Sequence, residues 1–322
     1  MSTNLSIFML DVLHQGLGNK HYKLIPNLEY ARDVGFATVV SFGGAWSNHI
    51  HTLAKTGADY GLKTIGIIRG EKPAKLSACL ADAARWGMQL EFVSRSEYRE
   101  KGSDRLMSYL NAKYGHCYLV PEGGSNALAI RACAQIVSDL NRYQSDYDLL
   151  VLPVGTGGTM AGIVTGLAGN VDAPGASVLG ISVLKGADFL NSDVEAFLSD
   201  AGCPENTNAG CPEVNCEVNS NSGCPEVTAN LGCPEISPQN RERRNWSINL
   251  DFHCGGYAKC PDYLKEFILG FESEHGISLD PVYTGKMMLA IQTLRQRGEI
   301  SEQARVVAIH TGGSQGRRGF DF

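Results

Sequence analysis

The sequence predicts an α/β fold built on parallel-rich sheets flanked by helices, and three observations predict it. Short runs rich in Val, Ile and Phe alternate with longer amphipathic stretches, the pattern of βαβ units. Glycine clusters follow several of the runs, where a chain leaving a strand turns sharply or approaches a ligand. Hydrophobic residues make up 43% of 322, enough for a large core.

The elements follow in order. Thr38 to Phe42 reads as a strand, Ser47 to Tyr60 as a helix, Thr64 to Arg69 as a strand and Lys75 to Trp86 as a helix. Gln89 to Ser94, a helix over Asp104 to Tyr114, and Cys117 to Pro121 continue the alternation. A helix from Leu128 to Tyr143 leads into Leu149 to Val154, the most apolar strand and therefore a central one. Val178 to Val183 and Arg305 to His310 are further strands, and Leu264 to His275 and Lys286 to Arg297 are helices. Two sheets are expected.

Composition narrows the function. A net charge of −6 without a basic run argues against nucleic acid and against an anionic membrane surface. The apolar stretch Leu5 to Leu10 has no preceding Lys or Arg and meets Asp11 at once, so it is not a signal peptide. No window approaches the roughly 18 apolar residues of a bilayer span, and a cytoplasmic location is expected. The 37 glycines exceed the roughly 22 of average usage.

Residues 202–240 differ in kind. Gly-Cys-Pro-Glu recurs from Gly202, Gly210, Gly223 and Gly232, and the segment holds five of the ten cysteines, five Glu and no Lys or Arg. With few apolar residues to offset ordering entropy, it reads as a solvated insertion. The absence of any Cys-x-x-Cys pair or His within it argues against a metal site, and none is expected.

The chemistry gathers at four glycine-bearing motifs. Gly155-Thr156-Gly157-Gly158-Thr159 follows the most apolar strand and opens into a helix, so its N–H groups and hydroxyls can converge on a phosphate. A dinucleotide fingerprint fails because Met160 takes the last Gly, and no Gly-Lys-Ser/Thr follows for a P-loop. The other three are Gly18-Asn19-Lys20-His21-Tyr22-Lys23, Gly43-Gly44-Ala45-Trp46-Ser47-Asn48-His49 and Asp280-Pro281-Val282-Tyr283-Thr284-Gly285-Lys286.

In order and separation these four resemble the 1-aminocyclopropane-1-carboxylate deaminase and D-cysteine desulfhydrase family, over nearly the whole chain apart from the insertion. The resemblance implies a two-domain tryptophan-synthase-β-like fold: a large domain over residues 1–34 and 122–322 and a small one over 35–121. It implies pyridoxal 5′-phosphate as cofactor, a small amino acid as substrate, and a homodimer.

It also implies roles. Lys20 matches the Schiff-base lysine, while Lys23, one turn on, serves packing or charge balance. Asn48 contacts the cofactor's phenolic oxygen and Ser47 the substrate carboxylate, unless both are simply a helix start; His49 stays unassigned and His51 is structural. Gly155 to Thr159 hold the phosphate, and the segment from His310 walls the ring. Tyr283 and Tyr257 face the substrate, and Cys254 and Cys260 pack.

Thr284 takes the position against the pyridine nitrogen, where the deaminase branch has Glu. A hydroxyl there leaves the nitrogen unprotonated and the ring a weaker electron sink. That suits loss of a good β leaving group, as from D-cysteine to pyruvate, ammonia and hydrogen sulfide. The alternatives are 1-aminocyclopropane-1-carboxylate deamination to 2-oxobutanoate, and a non-catalytic module that keeps the fold.

Overall fold

A computed structural model describes residues 4–101, 103–168, 170–201, 245–320 and 322. The Cys-Pro-Glu repeats of 202–240 lie outside the described residues. Two parallel sheets are present. Strands β1 (Leu5–Met9), β6 (Leu149–Val154), β7 (Ser177–Ser182), β8 (Trp246–Asn249) and β9 (Val306–His310) form one, in the order β1-β9-β6-β7-β8. The second, in the order β4-β3-β2-β5, contains β2 (Thr38–Gly43), β3 (Lys63–Arg69), β4 (Gln89–Val93) and β5 (Tyr118–Val120).

All seven strand pairings among the described residues are parallel, so each crossover needs a covering helix and the central strands bury both faces. On β6, Leu150, Leu152 and Val154 enter one core and Val151 enters the core across the sheet. The second sheet is likewise packed on both faces, with Val39 on one side and Val40 on the other.

Four helices position the site: α1 (Lys20–Val34), α2 (Asn48–Asp59), α3 (Gly158–Ala168) and α4 (Thr284–Gln296). The predicted strands and helices are found with ends shifted by a few residues, apart from Leu128 to Tyr143, which is two helices, Ala127–Cys133 and Gln135–Asn141. Among the described residues β1, β8, α1 and the helices Leu10–Leu13, Arg95–Arg99 and Phe189–Ala201 had no sequence expectation. Helix α1 contains Pro26, a residue that usually ends a helix, and its face toward the protein is mixed, with Lys23 and Asn27 buried beside Leu24 and Leu28. Asn27 Nδ2 donates to the Lys23 carbonyl at 2.7 Å.

Candidate active site

Strands of a parallel sheet all end on the same side, and the loops leaving them form a natural crevice. Here the loops after β2, β5, β6, β7, β8 and β9, with Arg69 at the end of β3, line one cavity of about 580 Å³. Lys20, Ser47, Asn48, Gly155, Thr156, Gly157, Thr159, Tyr257 and Tyr283 all line it.

Lys20 is placed by its backbone. Gly18, at φ 55°, lies so close to the end of β9 that a Cβ there would collide with the Thr311 carbonyl. The Asn19 N–H donates to that carbonyl at 3.0 Å, which pins the first turn of α1 to the cavity floor. Lys20 Nζ then donates to the Gly123 carbonyl at 3.3 Å. Its side chain is open to the cavity, yet its amine is ringed by protein; burial, then the Lys23 charge, holds its pKa well below the usual value. A neutral amine is the nucleophilic form.

Lys23 does more than balance charge. Its fully buried ammonium donates to Gly123 O at 3.1 Å and to Ser125 Oγ at 2.8 Å, and burial brings its pKa down to about 8. A Cβ on Gly158 would lie 2.5 Å from Ser125 Oγ and 2.9 Å from Lys23 Nζ, so glycine there lets the loop meet the ammonium. Ser125 and Thr156 share a hydrogen bond of 2.9 Å, and Asn19 Nδ2 donates to Thr159 Oγ1 at 2.9 Å. The first turn of α3 adds N–H groups that lack intrahelical acceptors, together with positive partial charge. An ammonium, hydroxyls and helix N–H groups are a donor set for a phosphate.

Across the cavity, Ser47 is the N-cap of α2 and accepts from the Ile50 N–H at 3.3 Å, so its hydroxyl serves the helix start. The Asn48 amide crowds Gly313, and its Oδ1 accepts from Gln315 Nε2 at 3.1 Å. His49 is buried: Ser41 donates to Val120 O at 2.7 Å, so His49 Nε2 donates to Ser41 Oγ, leaving Nδ1 unpartnered. Burial and the two lysines hold this imidazole neutral, its pKa well below the usual value. His51 Nε2 lies 3.2 Å from Asp82 in a surface network with Arg318, outside the cavity lining.

Tyr257 and Tyr283 meet edge to face, with ring centroids 6.2 Å apart, and Tyr257 donates to the Trp46 carbonyl at 3.3 Å. Burial pushes the Tyr257 phenol up to about 12 and Tyr283 further above its ordinary value, so both stay proton donors. Cys254 and Cys260 are free thiols that pack in the core beside α4.

Two expectations change. Thr284 is fully buried and does not line the cavity; its hydroxyl donates to Asp280 Oδ2 at 2.7 Å and accepts from the Asp280 N–H at 2.9 Å. Its only proton is therefore committed, and none remains for a ring nitrogen. Asp280, which heads the fourth sequence motif but was given no role there, also accepts from the N–H groups of Val282, Tyr283 and Thr284, and thereby opens α4. A buried carboxylate thus stands one hydroxyl behind this wall. His310, too, turns away, placing Nε2 3.1 Å from the Ser278 carbonyl, while Thr311, Gly312 and Gly313 form the wall.

Residues 3–312 match a family model described as pyridoxal-phosphate dependent enzyme. A mitochondrial bifunctional D-cysteine desulfhydrase/1-aminocyclopropane-1-carboxylate deaminase of Arabidopsis thaliana is 28% identical over 318 residues, covering 93% of this chain and 69% of that protein. The crystal structure of a 1-aminocyclopropane-1-carboxylate deaminase homologue superposes with a TM-score of 0.74 at 24% identity, over 97% of this chain and 85% of that one. A hydrogen sulfide-producing enzyme of Fusobacterium nucleatum shares the fold at a TM-score of 0.58 and 13% identity, over 96% and 88%.

Proposed function

The chain belongs to the pyridoxal-phosphate-dependent enzyme family, and from that premise we propose a D-cysteine desulfhydrase-like elimination: D-cysteine and water yield pyruvate, ammonia and hydrogen sulfide. The observation that carries the reading is the Lys20 amine, its pKa held well below the usual value, beside Lys23 and opposite a glycine loop whose donors suit a phosphate.

The residues present fit the cofactor. The Gly155–Thr159 loop, Lys23 and Ser125 would hold its phosphate, Lys20 its aldehyde carbon, and Asn48 the ring side facing Gly313. When bound, pyridoxal phosphate supplies an electrophilic aldehyde and a conjugated ring that accepts the electron pair left at the substrate Cα. Lys20 Nζ takes the proton from Cα, since its depressed pKa leaves the amine free to accept one. The first turn of α2 directs N–H groups toward the substrate carboxylate. Tyr283, protonated, donates to the departing sulfur, and Tyr257, whose proton goes to the Trp46 carbonyl, packs edge to face against it.

A second reading has one observation in its favour. Asp280 accepts from the buried Thr284 hydroxyl at 2.7 Å and from the Tyr283 N–H, so a carboxylate stands directly behind the Tyr283 wall although the sequence shows Thr where the deaminase branch has Glu. That favours opening of 1-aminocyclopropane-1-carboxylate to 2-oxobutanoate and ammonia.

One panel separates the two. The cofactor-loaded protein is incubated with D-cysteine, L-cysteine, D-serine and 1-aminocyclopropane-1-carboxylate, and pyruvate is resolved from 2-oxobutanoate. Pyruvate from D-cysteine supports the first reading; 2-oxobutanoate alone replaces it with the second. Lys20→Ala is expected to abolish both the yellow absorbance and the product, and a variant keeping both would remove Lys20 from the mechanism.

A further inference from the structure

The cavity wall carries a cation that the reaction so far does not use. Arg69 ends β3 beside the Gly43-Gly44 turn, its Nη2 3.8 Å from where a Cβ on Gly44 would lie. Its guanidinium sits 5.7 Å from the ring centroid of buried Tyr98, which supports it from below. Lys101 Nζ lies 5.0 Å from the same ring. Between these two cations stands one nearby carboxylate, Glu122, and it is taken: Tyr98 donates to Oε1 at 2.7 Å, and Lys101 pairs with Oε2. Among the described residues Arg69 enters no ion pair, and the remaining carboxylate of the lining, Asp193, is exposed.

A simple amino acid leaves no task for this charge. Its carboxylate is met by the N-terminus of α2, and the cofactor phosphate by Lys23 and the glycine loop. Arg69 faces the tyrosine end of the cavity, close enough to favour an ionised Tyr257. We propose that Arg69 forms a second anion subsite, which binds a negatively charged group on the substrate side chain. This rests on reading the cavity as an amino-acid site, and it makes the substrate class amino acids with an acidic β-substituent. A planar guanidinium suits a carboxylate, sulfonate or phosphate through paired N–H donors. Cysteine belongs to the class as its thiolate.

The test compares isosteres that differ by one negative charge. Aspartate and asparagine, both enantiomers of each, are titrated calorimetrically into cofactor-loaded protein, wild type, Arg69→Met and Arg69→Lys. One enantiomer of aspartate is expected to bind at least about tenfold more tightly than its asparagine, as a charge-assisted pair implies. That ratio should fall to near unity in Arg69→Met and recover in part in Arg69→Lys. A wild type that prefers asparagine, or binds neither, overturns the subsite. So does an Arg69→Met that weakens both ligands equally, since Arg69 would then be holding the α-carboxylate. Neither ligand carries a leaving group, so the ratio is read whether or not D-cysteine yields pyruvate, and the two proposals fail separately.

Discussion

Lys20 and Lys23 both donate to the Gly123 carbonyl, and burial lowers the pKa of each. The spacing of three shows that they share a helix face, but it does not say which ammonium reaches the phosphate loop. That depends on the approach of Gly158, 135 residues from Lys23 in the chain. A pH dependence follows. Lys23 carries its charge below about 8, and the proposed phosphate site draws on that charge. Affinity for pyridoxal phosphate should therefore be flat between pH about 7 and 8, where the ammonium persists. Above that it should fall by up to roughly tenfold per unit, because the free protein then binds one proton fewer than the complex. Lys23→Met should weaken binding about tenfold and flatten that limb, as equilibrium dialysis across the range would read. An unchanged limb would place the titration elsewhere. The reverse holds for Thr284: its identity was plain in the sequence, but its hydroxyl had a nearer claimant in Asp280.

Helix starts do much of the positioning, and they differ in legibility. Ser47 as the cap of α2 was readable, because Ser before a helical run is a strong N-terminal signal. Ser47→Ala should cost about 1 kcal/mol in urea unfolding, and Ser47→Gly only a few tenths. A kcat/KM loss well beyond that would give the hydroxyl a substrate contact besides its cap. Helix α1 was not readable: Pro26 sits inside it and two of its buried residues are polar. Its start depends on Gly18, whose positive φ and contact with Thr311 O exclude a side chain. Gly18→Ala should therefore cost at least about 2 kcal/mol in unfolding free energy, from left-handed strain plus the collision. It should also lower cofactor binding, because Lys20 begins the helix that the turn directs.

At the scale of the molecule, the cavity lies where the carboxyl ends of both sheets meet, so the cofactor would touch loops from each. Ligation of that kind stabilises the folded state as a whole. At 100 times its Kd, pyridoxal phosphate should add about 2.7 kcal/mol and raise the melting temperature by several degrees. Pyridoxal, which lacks the phosphate, should add far less at equal concentration, and equal shifts would remove the glycine loop and Lys23 from binding. Local pattern was enough for the alternation of strands and helices, the two sheets and the glycine turns at the strand ends. Burial repeats with the period of the local chain, and turn chemistry is local too. Four motifs also told which residue types the site would have. Packing alone settles that Lys23 meets the Gly155–Thr159 loop, that Thr284 spends its proton on Asp280, and that among the described residues Arg69 enters no ion pair. Such partnerships are set by how distant segments pack and by which polar group is nearest when water is excluded, and no local pattern records that.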